Sequence, residues 1–191
     1  VKLDTPAKNA RVVVEPPQDR WLLWVFGPSW GPAILFWGYL LLVVGLAVFL
    51  GRLRGAPLRR VDWLLLGLGL TQTDSVAALC VVGFFFFMAW RERTIDLSPW
   101  RHNALQLVVV LWVIAFAAAL FDVVESGLLV QPDMQVMGAG STSSSLQWYV
   151  DDSGTALPTP TLVSAPLWLY RVLMLAWSLW LARQLLRWAP W

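Results

Sequence analysis

The chain has 191 residues, 58% of them hydrophobic and only 14% charged, and its mean hydropathy is +0.62. Soluble domains carry about 25% charged residues, so this composition excludes an ordinary water-soluble globular protein. A net charge of +2 leaves too weak a field for nucleic acid despite the pI near 9.0, and the arginines come in short groups beside apolar runs rather than in one patch.

Residues 1–20 are polar and end in Pro16-Pro17. Within them Ala10-Arg11-Val12-Val13-Val14-Glu15 is β-branched and predicts a strand. A lone strand is unstable, so it needs a partner: the last strand of an upstream domain, or the polar loop that comes later. The chain begins at Val1 with no short signal-like apolar stretch, which reads as a piece of a longer protein. Residues 1–20 are therefore expected to be an extracytoplasmic tail, and 21–191 a helical membrane domain.

From Trp21 to Trp30 the chain is aromatic and broken by Gly27 and Pro28, a composition suited to the headgroup zone. Residues 31–51 then predict a spanning helix, with Pro32 in its first turn and no charge from 33 to 50. Residues 52–60 hold Arg52, Arg54, Arg59 and Arg60, the densest basic loop. Residues 61–90 are divided by Thr71-Gln72-Thr73-Asp74 into two halves, each short of the roughly 20 residues of a full span. They predict a re-entrant helical hairpin whose second arm is capped by Asp74 or Ser75.

Ser98-Pro99 marks the next helix start, and Asn103 to Glu125 predicts a second span with charge only at Asp122 and Glu125. Between Arg101 and Arg171 there is no Lys or Arg, and the loop Ser126–Leu162 has only Asp133, Asp151 and Asp152 as charges. Cytoplasmic loops collect Lys and Arg, so this loop is expected outside. Met134–Met137 and Leu146–Val150 flank its serine-rich centre and predict a β-hairpin, with Pro158 and Pro160 closing the loop. The last span is expected from about Val163 to Leu186.

Two orientations follow. Either the N-terminus lies outside and 61–90 dips in from the cytoplasm, or it lies inside and 61–90 crosses fully. Each places nine basic residues inside and four outside, setting Arg171 apart. The dense 52–60 loop and the polar break at 71–74 favour the first.

Arg171 lies within the last span, and Asp122 and Glu125 share a helix face at i, i+3, so an ion pair of Arg171 with Asp122, a snorkelling arginine, or a proton or ion path is expected there. Asp74 with its polar neighbours reads as a helix cap or as a site lining. Trp21, Trp30, Trp63, Trp90, Trp168 and Trp188 fall near predicted span ends, as interfacial anchors do. His102 has no ligand-spaced partners, and Cys80 reads as a packing residue that leaves no intrachain disulfide. No GxSxG, Walker loop, HExxH or CxxC is present, so no cofactor or metal is expected. The pairs Gly27/Gly31 and Ala115/Ala119 stand four apart, as close helix approach requires.

The runs Trp63-Leu-Leu-Leu-Gly-Leu-Gly-Leu-Thr-Gln, Met134-Gln-Val-Met-Gly-Ala-Gly-Ser-Thr-Ser and Pro166-Leu-Trp-Leu-Tyr-Arg-Val-Leu-Met-Leu-Ala-Trp resemble the C-terminal membrane region of large, uncharacterised proteobacterial envelope proteins. The resemblance covers most of the chain from Trp21 onward. It implies an inner-membrane anchor following a large extracytoplasmic part, and carries over no catalytic residue.

The expected fold is thus an all-α membrane protein with three transmembrane helices plus a re-entrant helical hairpin (or four spans) and a small external β-hairpin. The expected function is a non-enzymatic anchor or assembly module, multi-pass in a bacterial inner membrane. Its partners would be the lipid bilayer, an extracytoplasmic domain or other membrane subunits. A transporter or channel subunit using Asp74, Asp122, Glu125 and Arg171 is the alternative.

Overall fold

The computed structural model describes residues 8–27, 30–53, 56–91, 99–152 and 159–188; the expectations that fall on Lys2, Arg54, Arg93 and Pro158 lie outside them. The chain runs β1 (Lys8–Val14), β2 (Arg20–Phe26), β3 (Ala33–Ile34), α1 (Phe36–Leu50), α2 (Arg60–Leu70), α3 (Ser75–Arg91), α4 (Pro99–Leu129), β4 (Val136–Met137), β5 (Leu146–Asp152), β6 (Thr161–Pro166) and α5 (Leu167–Trp188). It divides into a strand unit, Val1–Tyr39 with Gln131–Tyr170, and a helical unit, Leu40–Val130 with Arg171–Trp191. These boundaries differ from the expected division at residue 20.

The strand unit overturns the all-α expectation. It holds three antiparallel pairs, β1 with β5, β2 with β6 and β3 with β4. The N-terminal strand takes its partner from the later loop, in the register Val12↔Trp148 and Val14↔Leu146. The predicted hairpin does not form: its two arms pair with β3 and β1 instead of with each other. The reason is side-chain alternation. Val12 and Val14 meet Trp148 and Leu146 on one face of the β1–β5 ladder, and Leu22 completes this core. On the other face Arg11 lies over the Tyr149 ring and donates to Gln147 Oε1.

Trp148, 1% exposed, is the largest buried side chain here, and Gly27 and Gly31 make its seat. A Cβ added at either would stand 2.1 or 2.3 Å from the indole. The pair therefore serves one buried ring rather than a helix–helix contact. Gly138 and Gly140, both at positive φ, turn the chain between β4 and β5. Ser141 Oγ closes that turn by accepting the Gln147 N–H at 2.9 Å.

The expected spans are cut short where strands take their residues. Ala33–Ile34 pair with Val136–Met137, and the N–H groups of Leu35 and Phe36 donate to Gln135 and Met134 carbonyls. Helix α1 therefore starts at Phe36, and its 15 residues reach only about 22 Å. Likewise Val163–Pro166 belong to β6, and α5, although 22 residues long, is diluted by arginine, tryptophan and glutamine. Among the described residues one helix, α4, is long and apolar enough to cross a membrane, rather than three or four.

The helical unit is organised by the phenylalanine run of α3. Phe85, 2% exposed, meets Trp63 of α2, Phe116 of α4 and Trp188 of α5 edge-on, at centroid distances of 6.0, 5.4 and 4.9 Å. Phe84 stacks on Phe116 and Phe87 on Trp112, fixing α3 antiparallel to α4. Aromatic contacts of this kind add about 0.5–1.5 kcal/mol each beyond area burial. Gly69 lets the Trp177 ring lie against α2, where its Nε1–H donates to the Leu65 carbonyl at 2.6 Å.

Gly31→Ala should destabilise the protein by about 1–3 kcal/mol through the Trp148 clash. Gly45→Ala, whose Cβ meets nothing within 4 Å, should be neutral or stabilising by up to ~1 kcal/mol. Thermal melts followed by near-ultraviolet circular dichroism would separate the two.

Candidate functional site

The polar break at 71–74 is a turn that satisfies its own helix ends. The N–H groups of Thr71, Gln72 and Thr73 return to the carbonyls of Gly67, Gly69 and Leu70, and Thr71 Oγ1 donates to Leu68 O at 2.7 Å. Asp74 Oδ1 accepts the N–H groups of Val76 and Ala77 at 2.7 and 2.9 Å, which caps α3. Thr73 Oγ1 donates to Asp122 Oδ2 at 3.3 Å and so ties the turn to the far end of α4.

The expected ion pair is absent. Among the described residues the side chains of Arg171 and Glu125 make no ion pair or hydrogen bond, and both are exposed. Asp122 takes its hydrogen bond from Thr73 instead, because antiparallel packing of α3 on α4 brings the turn, not Arg171, to that carboxylate. His102 Nε2 and Gln106 Nε2 lie 2.9 Å apart on an exposed turn of α4. Cys80 is half-buried, and its carbonyl accepts the Trp112 Nε1–H. Among the described residues no three His, Cys, Asp or Glu gather as metal ligands.

The expected tryptophan anchors divide. Trp63 is 2% exposed and stacked on Phe86, so it is a core residue of the helical unit. Trp188 packs on Phe85 and Trp180. Trp21 packs on Tyr170, and its Nε1–H points to Met134 Sδ at 3.1 Å. Of these six, Trp30, Trp90 and Trp168 present the exposed rings that an interfacial anchor needs, and Trp100 is exposed as well.

The organising feature of the helical unit is charge sorted along its length. Arg60 Nε reaches the Gly51 carbonyl, and Gln184 Nε2 donates to Asp62 Oδ1. Arg59 and Arg187 line one cleft, and Arg91 shares a cavity with Trp188. The end of α1, the start of α2, the end of α3 and the end of α5 thus meet at one end, where α4 begins with Arg101. The opposite end carries Asp74, Asp122 and Glu125, and among the described residues Arg171 is the one arginine of the unit nearer to it. The arginine groups were legible in the sequence; their convergence depends on the antiparallel helix order.

No protein-family model, curated protein or solved structure matches this chain.

Asp74→Ala should cost about 0.5–2 kcal/mol through loss of the cap, and Asp74→Asn should retain most of it. Arg171→Leu should change stability by less than about 0.5 kcal/mol, as for an unpaired exposed side chain. Thermal unfolding of the three variants in one detergent would check both expectations.

Proposed function

We propose that this chain is a non-enzymatic membrane anchor or assembly module of a bacterial inner-membrane protein, with α4 crossing the bilayer. One observation carries this reading. Trp100–Leu129 has a mean hydropathy of 2.8 over its most apolar 18 residues, yet only 22% of that window is buried within the protein. A core helix of a water-soluble protein is equally apolar but mostly covered. Thirty residues reach about 45 Å, ample for a hydrocarbon core of roughly 30 Å.

Magnitudes support lipid over water. Leu107, Leu111, Ile114 and Phe121 are each about 60–70% exposed. Leaving four such side chains in water forgoes about 1.5–3 kcal/mol each. Their sum rivals the ~5–15 kcal/mol net stability of a whole domain. Helices α1 and α3 add Leu41, Phe49, Val76 and Leu79 to the uncovered surface.

The arginine sorting supports an orientation. With the arginine-rich end cytoplasmic, α4 leaves the cytoplasm at Arg101 and emerges at Glu125, so Gln131 onward begins outside. An extracytoplasmic domain joined to such a chain would be held at the membrane. The transporter alternative gains no support, because Asp74 is engaged as a cap and Asp122 by Thr73.

Ile114→Arg, on the uncovered face of α4, should cost about 2.5–3.5 kcal/mol near the bilayer centre and shift the chain from the carbonate-resistant to the soluble fraction. Glu125→Ala, near the helix end, should leave fractionation unchanged. A purified chain that stayed monodisperse without detergent would overturn the proposal.

A further inference from the structure

At the arginine-rich end of the helical unit a cavity of about 330 Å³ opens between α3, α4 and α5. Its walls are Phe84, Phe85 and Met88 of α3, Val113 and Phe116 of α4, and Trp188 of α5. Protein interiors leave few voids larger than a water molecule, and sites for small molecules begin near about 300 Å³. The cavity falls in the second class. Among the described residues its wall carries a single charge, Arg91 in the last turn of α3. Among the described residues no carboxylate lines the cavity and the guanidinium has no partner.

We propose that this cavity binds one acyl chain of an anionic phospholipid, with Arg91 holding the lipid phosphate. The proposal rests on the membrane reading above and adds a ligand to it. Aromatic and aliphatic walls with one cation recognise a hydrocarbon that ends in one anion. A guanidinium fork matches phosphate oxygens in a bidentate geometry. Basic pockets between helices at the cytoplasmic side of a membrane are where anionic headgroups bind, and this cavity sits at the arginine-rich end. The neighbouring cleft with Arg59 and Arg187 lacks the apolar walls: Asp62 and Gln184 join the two arginines in a mainly polar lining. A soluble phosphate would leave the apolar walls unused, and a zwitterionic lipid would set its own cation beside Arg91.

The test uses the full chain in detergent, with native mass spectrometry and thermal melts in the presence of phosphatidylglycerol, phosphatidylcholine or inorganic phosphate. One phosphatidylglycerol should stay bound and raise the melting temperature by several degrees, with phosphatidylcholine binding about tenfold more weakly. Arg91→Gln should weaken phosphatidylglycerol binding about tenfold, equivalent to about 1.4 kcal/mol. Arg91→Lys, which keeps the charge, should recover part of it. Val113→Trp, which fills the cavity, should remove the bound lipid while the circular dichroism spectrum is unchanged. Equal retention of both lipids, indifference to Arg91→Gln, or equal protection by inorganic phosphate would overturn the lipid site. If the chain is then still carbonate-resistant, the anchor reading stands and this inference alone falls; a chain washed off by carbonate overturns both.

Discussion

A helix as apolar as α4, left largely uncovered by its own chain, needs a surrounding medium that does not penalise hydrocarbon surface. The inward side of α4 is fixed by Phe116 against Phe84 and Phe85, and by Trp112 against Phe87 and the Cys80 carbonyl. The outward side has Leu107, Leu111, Ile114 and Phe121, each about 60–70% exposed. Packing that is dense on one side and absent on the other is the pattern of a helix shared between a protein core and lipid. Arginines at one end and carboxylates at the other give such a helix a direction.

The strand unit obeys a different rule. Its pairs join segments more than a hundred residues apart, so each ladder closes a long loop and must be supported by side-chain burial. Trp148 supplies that support, seated on two glycines and faced by Val12 across the ladder. Trp37 and Trp24 stack at 4.6 Å, and Trp37 Nε1 donates to the Leu23 carbonyl, tying the start of α1 to β2 within the same unit. Strands from before α1 and from after α4 thus belong to one folded unit.

What the sequence disclosed and what it hid divide along local and non-local physics. The break at 71–74 and the Asp74 cap were legible because both depend on neighbouring residues. The span from Asn103 to Glu125 was legible as a helix for the same reason, and α4 contains it. Strand partners were not, since Val136 and Leu146 carry no mark that distinguishes pairing with each other from pairing with Ile34 and Val14. Ala33-Ile34 and Val163–Pro166 are apolar residues next to apolar helices, so composition alone assigned them to spans that the strands claim. Trp63 looked like an anchor from its place at a helix start, and only the Phe85–Phe86 contacts put it in the core. The cavity beside Arg91 was invisible for a related reason: its walls come from three helices whose order along the chain says nothing about their meeting.

The central claim is that the uncovered face of α4 lies in lipid. In a Cys80→Ser background, single cysteines at Ile114, Ala56 and Ser143 can be challenged with a membrane-impermeant thiol reagent, first on spheroplasts and then on inverted vesicles. The account predicts no reaction at 114 from either side, reaction at 56 only in inverted vesicles, and reaction at 143 only in spheroplasts. Rapid modification of 114 in intact membranes, or labelling of 56 and 143 from the same side, would contradict it.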